Sequence, residues 1–294
     1  MKILVTGGRG FIGRNLILFL RKNTSYDIFG DKDEDICDIM NITSISLVLN
    51  KIRPDMVIHL AALTFVPSSN PIDFYKVNTI GSENLFKCII ENDVSRYGIV
   101  CFSTAGVYGI QQEKYLNEEL IPNPINHYSM SKYCMEQLVK KYNDRRNIVI
   151  IRPFNILGDG QDINFLIPKL IDKFANRVPL IELGNLDSIR DFIYIEDLCS
   201  ILLKLINLGC NFGTINICSG KGYSVCEIFE FLCDISGYRP KIEQKELFIR
   251  KDDIHCMVGD TTKLFSILRS EYQFTSIKEI LKTIYTNKLM KLED

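Results

Sequence analysis

Thr6-Gly7-Gly8-Arg9-Gly10-Phe11-Ile12-Gly13 is the stretch on which the fold turns. It stands between a short β-branched apolar run, Lys2–Thr6, and a helical stretch, Ile12–Lys22. Glycine lets a backbone turn tightly and approach a pyrophosphate, and the helix behind it offers unpaired N–H groups and a positive dipole end. A bare G-x-G-x-x-G string is equally compatible with an ordinary glycine turn. Here it directly follows a strand, and Asp31 closes the next strand at the distance expected for an adenosine ribose. The context points to a dinucleotide site.

Working outward, strand-like and helical patterns alternate: Tyr26–Gly30, the helix Ile42–Ile52 stopped by Pro54, Met56–His59, and a long helix Ile72–Glu91 with Pro71 in its first turn. Tyr97–Ser103, the helix Asn126–Asp144 and the strand Asn147–Arg152 complete the series. Strands separated by helices predict parallel βαβ units and an α/β, doubly wound parallel sheet of Rossmann type. Pro153, Gly158 and Gly160 mark a change of texture, followed by helices near Phe165–Ala175, Glu196–Leu208, Ser224–Ser236 and Ser276–Thr286. Strand-like Phe192–Ile195 and Thr214–Cys218 read as returns to the sheet. The expected division is residues 1–157 plus about 191–219 for the dinucleotide-binding domain. Residues 158–190 and 220–294 would form a smaller C-terminal α/β substrate lobe.

Composition excludes whole classes of function. The 294 residues are 46% apolar and 24% charged, which suits a packed core and argues against disorder. Lys plus Arg (35) nearly cancels Asp plus Glu (36), so no basic field draws in nucleic acid. The opening residues are too soon interrupted by glycine for a signal peptide, and no stretch approaches the roughly 18 apolar residues of a membrane span. Ten cysteines contain no C-x-x-C pair, and three histidines make a poor metal set. The expectation is a cytoplasmic protein with free thiols, no metal, and neither nucleic acid nor membrane as partner.

Cofactor choice is contested among the residues themselves. A carboxylate at Asp31 accepts from a ribose 2′-hydroxyl and repels a 2′-phosphate, which favours NAD. Arg9 or Lys32 can pair with that phosphate, which favours NADP, although Arg9 reads equally well as a solvated loop residue. Both cofactors stay open at this point.

Tyr128 and Lys132 stand four residues apart in the helical stretch Asn126–Asp144, on one face. A nearby ammonium stabilises phenolate, so Tyr128 would exchange a proton near neutral pH. Alone, Y-x-x-x-K is common by chance, as a surface aromatic beside a solvated lysine. Ser103-Thr104-Ala105-Gly106-Val107-Tyr108-Gly109 follows the fourth strand and His59-Leu60-Ala61-Ala62 the third, where a parallel sheet presents its carboxyl ends to ligands.

With those elements in place, the sequence resembles the extended short-chain dehydrogenase/reductases, the nucleotide-sugar epimerase/dehydratase family. The matching pieces are T-G-x-x-G-F-I-G, Cys37-Asp38-Ile39, H-L-A-A, V-N-T-I-G around Asn78, S-T-x-x-V-Y-G, Y-x-x-x-K, Arg152-Pro153-Phe154-Asn155 and Arg190-Asp191-Phe192-Ile193-Tyr194, in family order across nearly the whole chain. The resemblance implies that Gly7, Gly10, Phe11, Ile12 and Gly13 hold the diphosphate, while Arg9, Asp31 and Lys32 stay candidates for the ribose end on the residue reading above. It implies that Asp38 and Ile39 meet the adenine, and that Leu60, Ala61, Ala62, Asn78, Ser103 and Pro153 line the cofactor cleft. Thr104, Tyr128 and Lys132 would form the catalytic triad, with Tyr128 and Lys132 also touching the cofactor. Thr104, Asn155, Arg190 and Arg250 would face substrate, and His59 would be a structural strand-end residue.

Ala105 and Gly106 stand where dehydratases of the family carry acids, which disfavours dehydration. No cysteine occupies Ser103–Tyr108, which disfavours epimerisation at the third and fifth carbons. Gly184-Asn185-Leu186-Asp187-Ser188-Ile189-Arg190-Asp191-Phe192 resembles GDP-sugar enzymes, and Asn216–Ser224 with the segment from Arg250–Asp253 to Val258-Gly259-Asp260 resembles the reductases of GDP-linked 6-deoxy-4-keto-mannose, except for Lys251 where those usually have proline. The resemblance therefore implies an NAD(P)H-dependent 4-keto reductase of a 4-keto-6-deoxy nucleotide-sugar, GDP-linked, with NADP as cofactor and NAD as alternative. The rivals are a nucleotide-sugar 4-epimerase with tightly held NAD and a non-catalytic nucleotide sensor. A homodimer through Ile72–Glu91 and Asn126–Asp144 is expected on the same ground.

Overall fold

A computed structural model describes residues 1–64, 70–248 and 254–293. The first half runs β1 (Lys2–Thr6), α1 (Phe11–Asn23), β2 (Asp27–Phe29), α2 (Ile42–Ile52), β3 (Met56–His59), α3 (Ile72–Tyr75), α4 (Ser82–Glu91), β4 (Gly98–Phe102), α5 (His127–Tyr142) and β5 (Ile148–Pro153). It continues through β6 (Asn155–Leu157), α6 (Leu166–Ala175), β7 (Leu180–Leu183), β8 (Ile189–Tyr194), α7 (Ile195–Asn207) and β9 (Thr214–Ile217). The last part is β10 (Gly222–Ser224), α8 (Val225–Ser236), β11 (Lys241–Gln244), β12 (Cys256–Met257), α9 (Thr262–Leu268) and α10 (Ile277–Glu293).

Six parallel strands form one sheet in the order β2-β1-β3-β4-β5-β9. Its strands are apolar on both sides because both sides are covered. Ile3 and Val5 of β1 join the core with Leu16, Leu20, Leu198 and Leu202 from α1 and α7. Leu4, between them, joins Leu49, Leu85, Phe86 and Met135 from α2, α4 and α5 on the opposite face. That alternation is the doubly wound arrangement expected from the sequence. Among the described residues no helix is long and apolar enough to cross a membrane.

A third core, with Leu170, Phe174, Phe229, Leu232 and Leu281, holds α6, α8 and α10 together in a smaller lobe. Here the structure departs from expectation. Thr214–Ile217 pairs with β5, but Ile189–Tyr194 does not enter the six-stranded sheet; it pairs with β6, β10 and β12. The strand is apolar on both faces because it bridges two cores: Phe192 packs in the small lobe and Ile193 in the main one. The predicted continuous helix Ile72–Glu91 is also interrupted, by a wide π turn at Lys76–Gly81. Such turns recur at functional sites. This one carries Asn78, whose amide accepts from Leu63 N at 2.7 Å and donates to Leu63 O at 2.9 Å and Ser131 Oγ at 3.0 Å.

Candidate active site

The glycine loop forms a cradle at the end of β1. Gly7 has φ +71°, and a Cβ there would come within 2.7 Å of Ala61 N. A Cβ on Gly13 would meet Gly7 O at 2.4 Å, so the helix can sit this close to the loop only with glycine. Gly10 is the N-cap of α1, with no side-chain cap and no acidic residue in the first turn. The first N–H groups of α1 are thus left to an anion, as a dinucleotide diphosphate requires. Beside the loop lies a cavity of about 150 Å³ lined by Gly8, Arg9, Gly30, Asp35 and Cys37.

The adenosine end is more structured than its sequence suggests. Asp31 is gripped by both terminal nitrogens of Arg21, at 2.6 and 2.8 Å, which holds its carboxyl below the usual range. Arg9 donates from Nε to the Asp31 carbonyl at 3.0 Å and reaches Asp33 at 2.5 Å, while Lys32 is exposed. Asp38 accepts from Met40 N at 2.9 Å, and Ile39 is buried.

The carboxyl ends of β3, β4 and β5 present the remaining residues. Leu60 N donates to Thr6 O at 3.1 Å and Ala61 N to Thr6 Oγ1 at 3.3 Å, which ties Leu60–Ala62 to the loop strand. Asn78, spent on Leu63 and Ser131, steadies this same stretch against α5. His59 lies between Thr6 Oγ1 and Ser82 Oγ, each at 2.8 Å, and burial pushes it down to about 3, so it is neutral and structural. Ser103 Oγ is buried with no hydrogen-bond partner among the described residues. An orphaned hydroxyl is costly unless a ligand satisfies it. Pro153 is buried at the end of β5.

Asn126 caps α5 by accepting from Ser129 N at 2.9 Å, which fixes the helix start one residue before the chemistry. Lys132 is 2% exposed, and its Nζ donates to Phe102 O at 2.7 Å. Burial lowers its pKa to about 8. The half-buried Tyr128 phenol is pushed up to about 12 by burial, with its hydrogen bond to Thr104 pulling the other way. This corrects the expectation of a tyrosine that titrates near neutral pH. Loss of water around the phenol is the dominant cause, and the Lys132 ammonium is anchored on the Phe102 carbonyl. Thr104 also accepts from Gly106 N at 3.1 Å.

On the substrate side, Asn155 Nδ2 donates to Asp191 O at 3.0 Å and Arg190 Nη1 to Ile189 O at 2.9 Å. Arg250 and Lys251 lie outside the described residues. Two residues that sequence reasoning left without a role stand out. Asp191 is fully buried and accepts from Ser219 N, Ser219 Oγ, Gly220 N and Gly259 N, at 2.6–3.2 Å. Glu136, one turn after Lys132, is paired with buried Arg152. The signal for the first was an acid inside a strand whose following residues, Phe192-Ile193-Tyr194, are apolar or aromatic. A larger cavity of about 270 Å³ behind α5, lined by Glu118, Tyr133, Arg152 and Thr214 among others, shares no residue with the loop or the triad.

A phosphate cradle and a Tyr–Lys–Thr set at the carboxyl ends of one parallel sheet define a nicotinamide-dependent oxidoreductase. The chain belongs to the NAD dependent epimerase/dehydratase family, whose sequence model matches residues 3–218, and its cofactor is NAD(P). It is 54% identical over 292 residues to GDP-6-deoxy-D-talose 4-dehydrogenase of Aggregatibacter actinomycetemcomitans, covering 99% of both chains. It is 29% identical to GDP-6-deoxy-D-mannose reductase of Pseudomonas aeruginosa, over 97% of this chain and 96% of that one. The solved structure of RMD from Pseudomonas aeruginosa complexed with NADPH superposes with a TM-score of 0.89 at 27% identity, covering 99% of each chain.

Proposed function

We propose that the protein interconverts a GDP-linked 4-keto-6-deoxy-hexose and the 4-hydroxy sugar, by a single hydride transfer at the fourth carbon. The observation that carries this reading is the Thr104–Tyr128–Lys132 set with no acid at Ala105 or Gly106. The site has groups to move one proton and none at those positions to expel water. The likeness to the talose and mannose enzymes supports the choice of sugar. 6-Deoxytalose and 6-deoxymannose differ only at the fourth carbon, so both arise from one ketone and differ in the face reduced. The stronger likeness favours the talo product.

When bound, the nicotinamide supplies or accepts the hydride. Thr104 aims the carbonyl oxygen, and Tyr128, protonated at neutral pH, delivers its proton to the alkoxide as it forms. Lys132 balances the charge left on the phenol. Asn155, Arg190 and Arg250 hold the nucleotide diphosphate in this reading. Ile80 and Met130, exposed apolar residues beside α4 and on α5, support pairing of two copies through these helices, and light scattering tests that. For the reaction, purified protein is given the GDP-4-keto-6-deoxy sugar with NADPH or NADH, and the product is identified by NMR. Stoichiometric cofactor oxidation with a talo product is expected. Interconversion of two 4-hydroxy sugars without added reductant overturns the reading in favour of an epimerase.

A further inference from the structure

The cavity behind α5, about 270 Å³, takes no part in the chemistry described so far. Arg152 lines it and is 5% exposed, with Nε and Nη2 spent on Glu136 at 3.0 and 2.6 Å. The third nitrogen, Nη1, is buried with no hydrogen-bond partner among the described residues. Tyr108 leaves it so: its ring centre lies 4.8 Å from the guanidinium, and its hydroxyl gives its proton to Asn216. A buried donor without a bond is costly, and native interiors almost always supply a partner. One water occupies about 30 Å³, so a bridging water alone would use only a corner of this space.

The walls narrow the chemistry of a ligand. Among the lining charges Arg152 and Lys140 are balanced by Glu118 and Glu136, so neither an anion nor a cation is favoured. What Arg152 requires is an acceptor. Glu118 accepts from Asn216 N at 2.7 Å, and a carboxylate has about four lone-pair sites, so it can take a further donor. Leu120, Val139 and Ile150 give the cavity apolar walls, and Tyr133 adds an aromatic ring. A polyol would press hydroxyls on such walls, whereas a base keeps its polar atoms on its edge and its faces apolar. We propose that the cavity binds a lactam nucleobase, with the ring carbonyl on Arg152 Nη1 and the adjacent ring N–H on Glu118. Arginine meets the ring carbonyl of guanine in the same way in nucleic-acid recognition. At about 270 Å³ the cavity falls just below the roughly 300–1,000 Å³ of sites that enclose larger ligands, which suits a single ring system. The inference draws nothing from the sugar reaction proposed above and stands or falls apart from it.

Inosine and adenosine decide it, titrated calorimetrically into the whole protein with NADPH and GDP present at saturation. The two nucleosides share size and shape, but inosine carries a carbonyl and an N–H where adenosine carries an amino group and a bare ring nitrogen. Inosine is expected to bind about tenfold or more tighter, because the adenosine edge opposes donor to donor at Arg152 and acceptor to acceptor at Glu118. Thr214, paired with Ile150 across β9 and β5, also lines the cavity, so Thr214→Trp fills it and should abolish inosine binding. Glu118→Gln keeps an oxygen for Asn216 N and turns an NH2 toward the inosine N–H. It should weaken inosine by about tenfold, whether or not Thr214→Trp folds. Failure of the unaltered protein to bind inosine leaves water as the occupant and overturns the proposal. So does equal affinity for adenosine, an unchanged affinity in Glu118→Gln, or binding that survives in a folded Thr214→Trp.

Discussion

Arg152 on β5 grips the carboxylate of Glu136 on α5 with two nitrogens, at 3.0 and 2.6 Å, and both side chains are almost wholly buried. The guanidinium also lies 4.8 Å over the ring of Tyr108, whose hydroxyl donates to Asn216 Oδ1 at 2.7 Å. One buried pair thus ties α5, one turn beyond Lys132, to two strands of the sheet and to the turn after β4. A buried pair adds little relative to apolar residues of equal size, but removing one partner strands the other. Glu136→Ala should therefore cost about 3–5 kcal/mol. The double change Glu136→Leu with Arg152→Met should recover most of that loss. Thermal unfolding of the three proteins checks this, and a double variant no better than the single one contradicts it.

Tyr128→Phe removes the phenol proton and keeps the ring and its edge contact with Phe74 at 6.1 Å. A positioned general acid is worth about 10²–10⁴-fold in rate, so turnover should fall by that order. Dissociation constants for the cofactor and for GDP should stay within about threefold, because neither depends chiefly on that proton. Thr104→Ala should slow the reaction too, with the proton donor still present and less well aimed. Full turnover in Tyr128→Phe, with chemistry rate-limiting, removes the tyrosine from its role.

Much of this was legible in the sequence because the decisive features are local. Gly7 and Gly13 mark a loop that only glycine can form, and the spacing of Tyr128 and Lys132 places them on one helical face. What escaped was long-range. That β8 serves two cores depends on the partners of Phe192 and Ile193, which a strand pattern cannot name. The sequence set Asp31 against Arg9 and Lys32, and gave no sign that Arg21, ten residues earlier on α1, pairs with both oxygens of that carboxylate. The proton affinity of Tyr128 went astray for the same reason. Spacing gives the distance to Lys132 but says nothing of the water lost around the phenol.

Tyr128 and Lys132 titrate in different windows. Burial lowers Lys132 from 10.5 to about 8, so its charge is present below that pH and lost above it. Tyr128, pushed up to about 12, stays protonated throughout the working range. In the reducing direction, kcat/KM should be level below pH 7 and fall about tenfold per unit well above 8, as one proton leaves. Lys132→Gln should lower the rate and abolish that descending limb. A profile that falls equally in Lys132→Gln assigns the limb to another group. In the oxidising direction, where the phenol must first lose its proton, the rate should instead climb with pH until Lys132 titrates.

Asp191 sets up the last prediction. Its Oδ1 accepts from Ser219 N and Oγ, and its Oδ2 from Gly220 N and Gly259 N. One carboxylate so clasps the loop after β9 and the chain after β12 to the strand that carries Arg190. Burial pushes its pKa up to about 6, against the combined pull of these donors. An asparagine here cannot serve all of them. Whichever way the amide turns, its NH2 faces at least one backbone N–H, and an unsatisfied buried donor costs about 1–3 kcal/mol. Asp191→Asn should lower the melting temperature by a few degrees and raise KM for the nucleotide-sugar severalfold, because the loops beside Arg190 lose their common anchor. The dissociation constant for the dinucleotide should hold steady, since the glycine loop lies on β1 and α1. Calorimetry for the first, steady-state kinetics for the second and fluorescence titration for the third separate these effects. An unchanged KM together with a lowered melting temperature would reduce Asp191 to a stabilising clasp with no bearing on substrate.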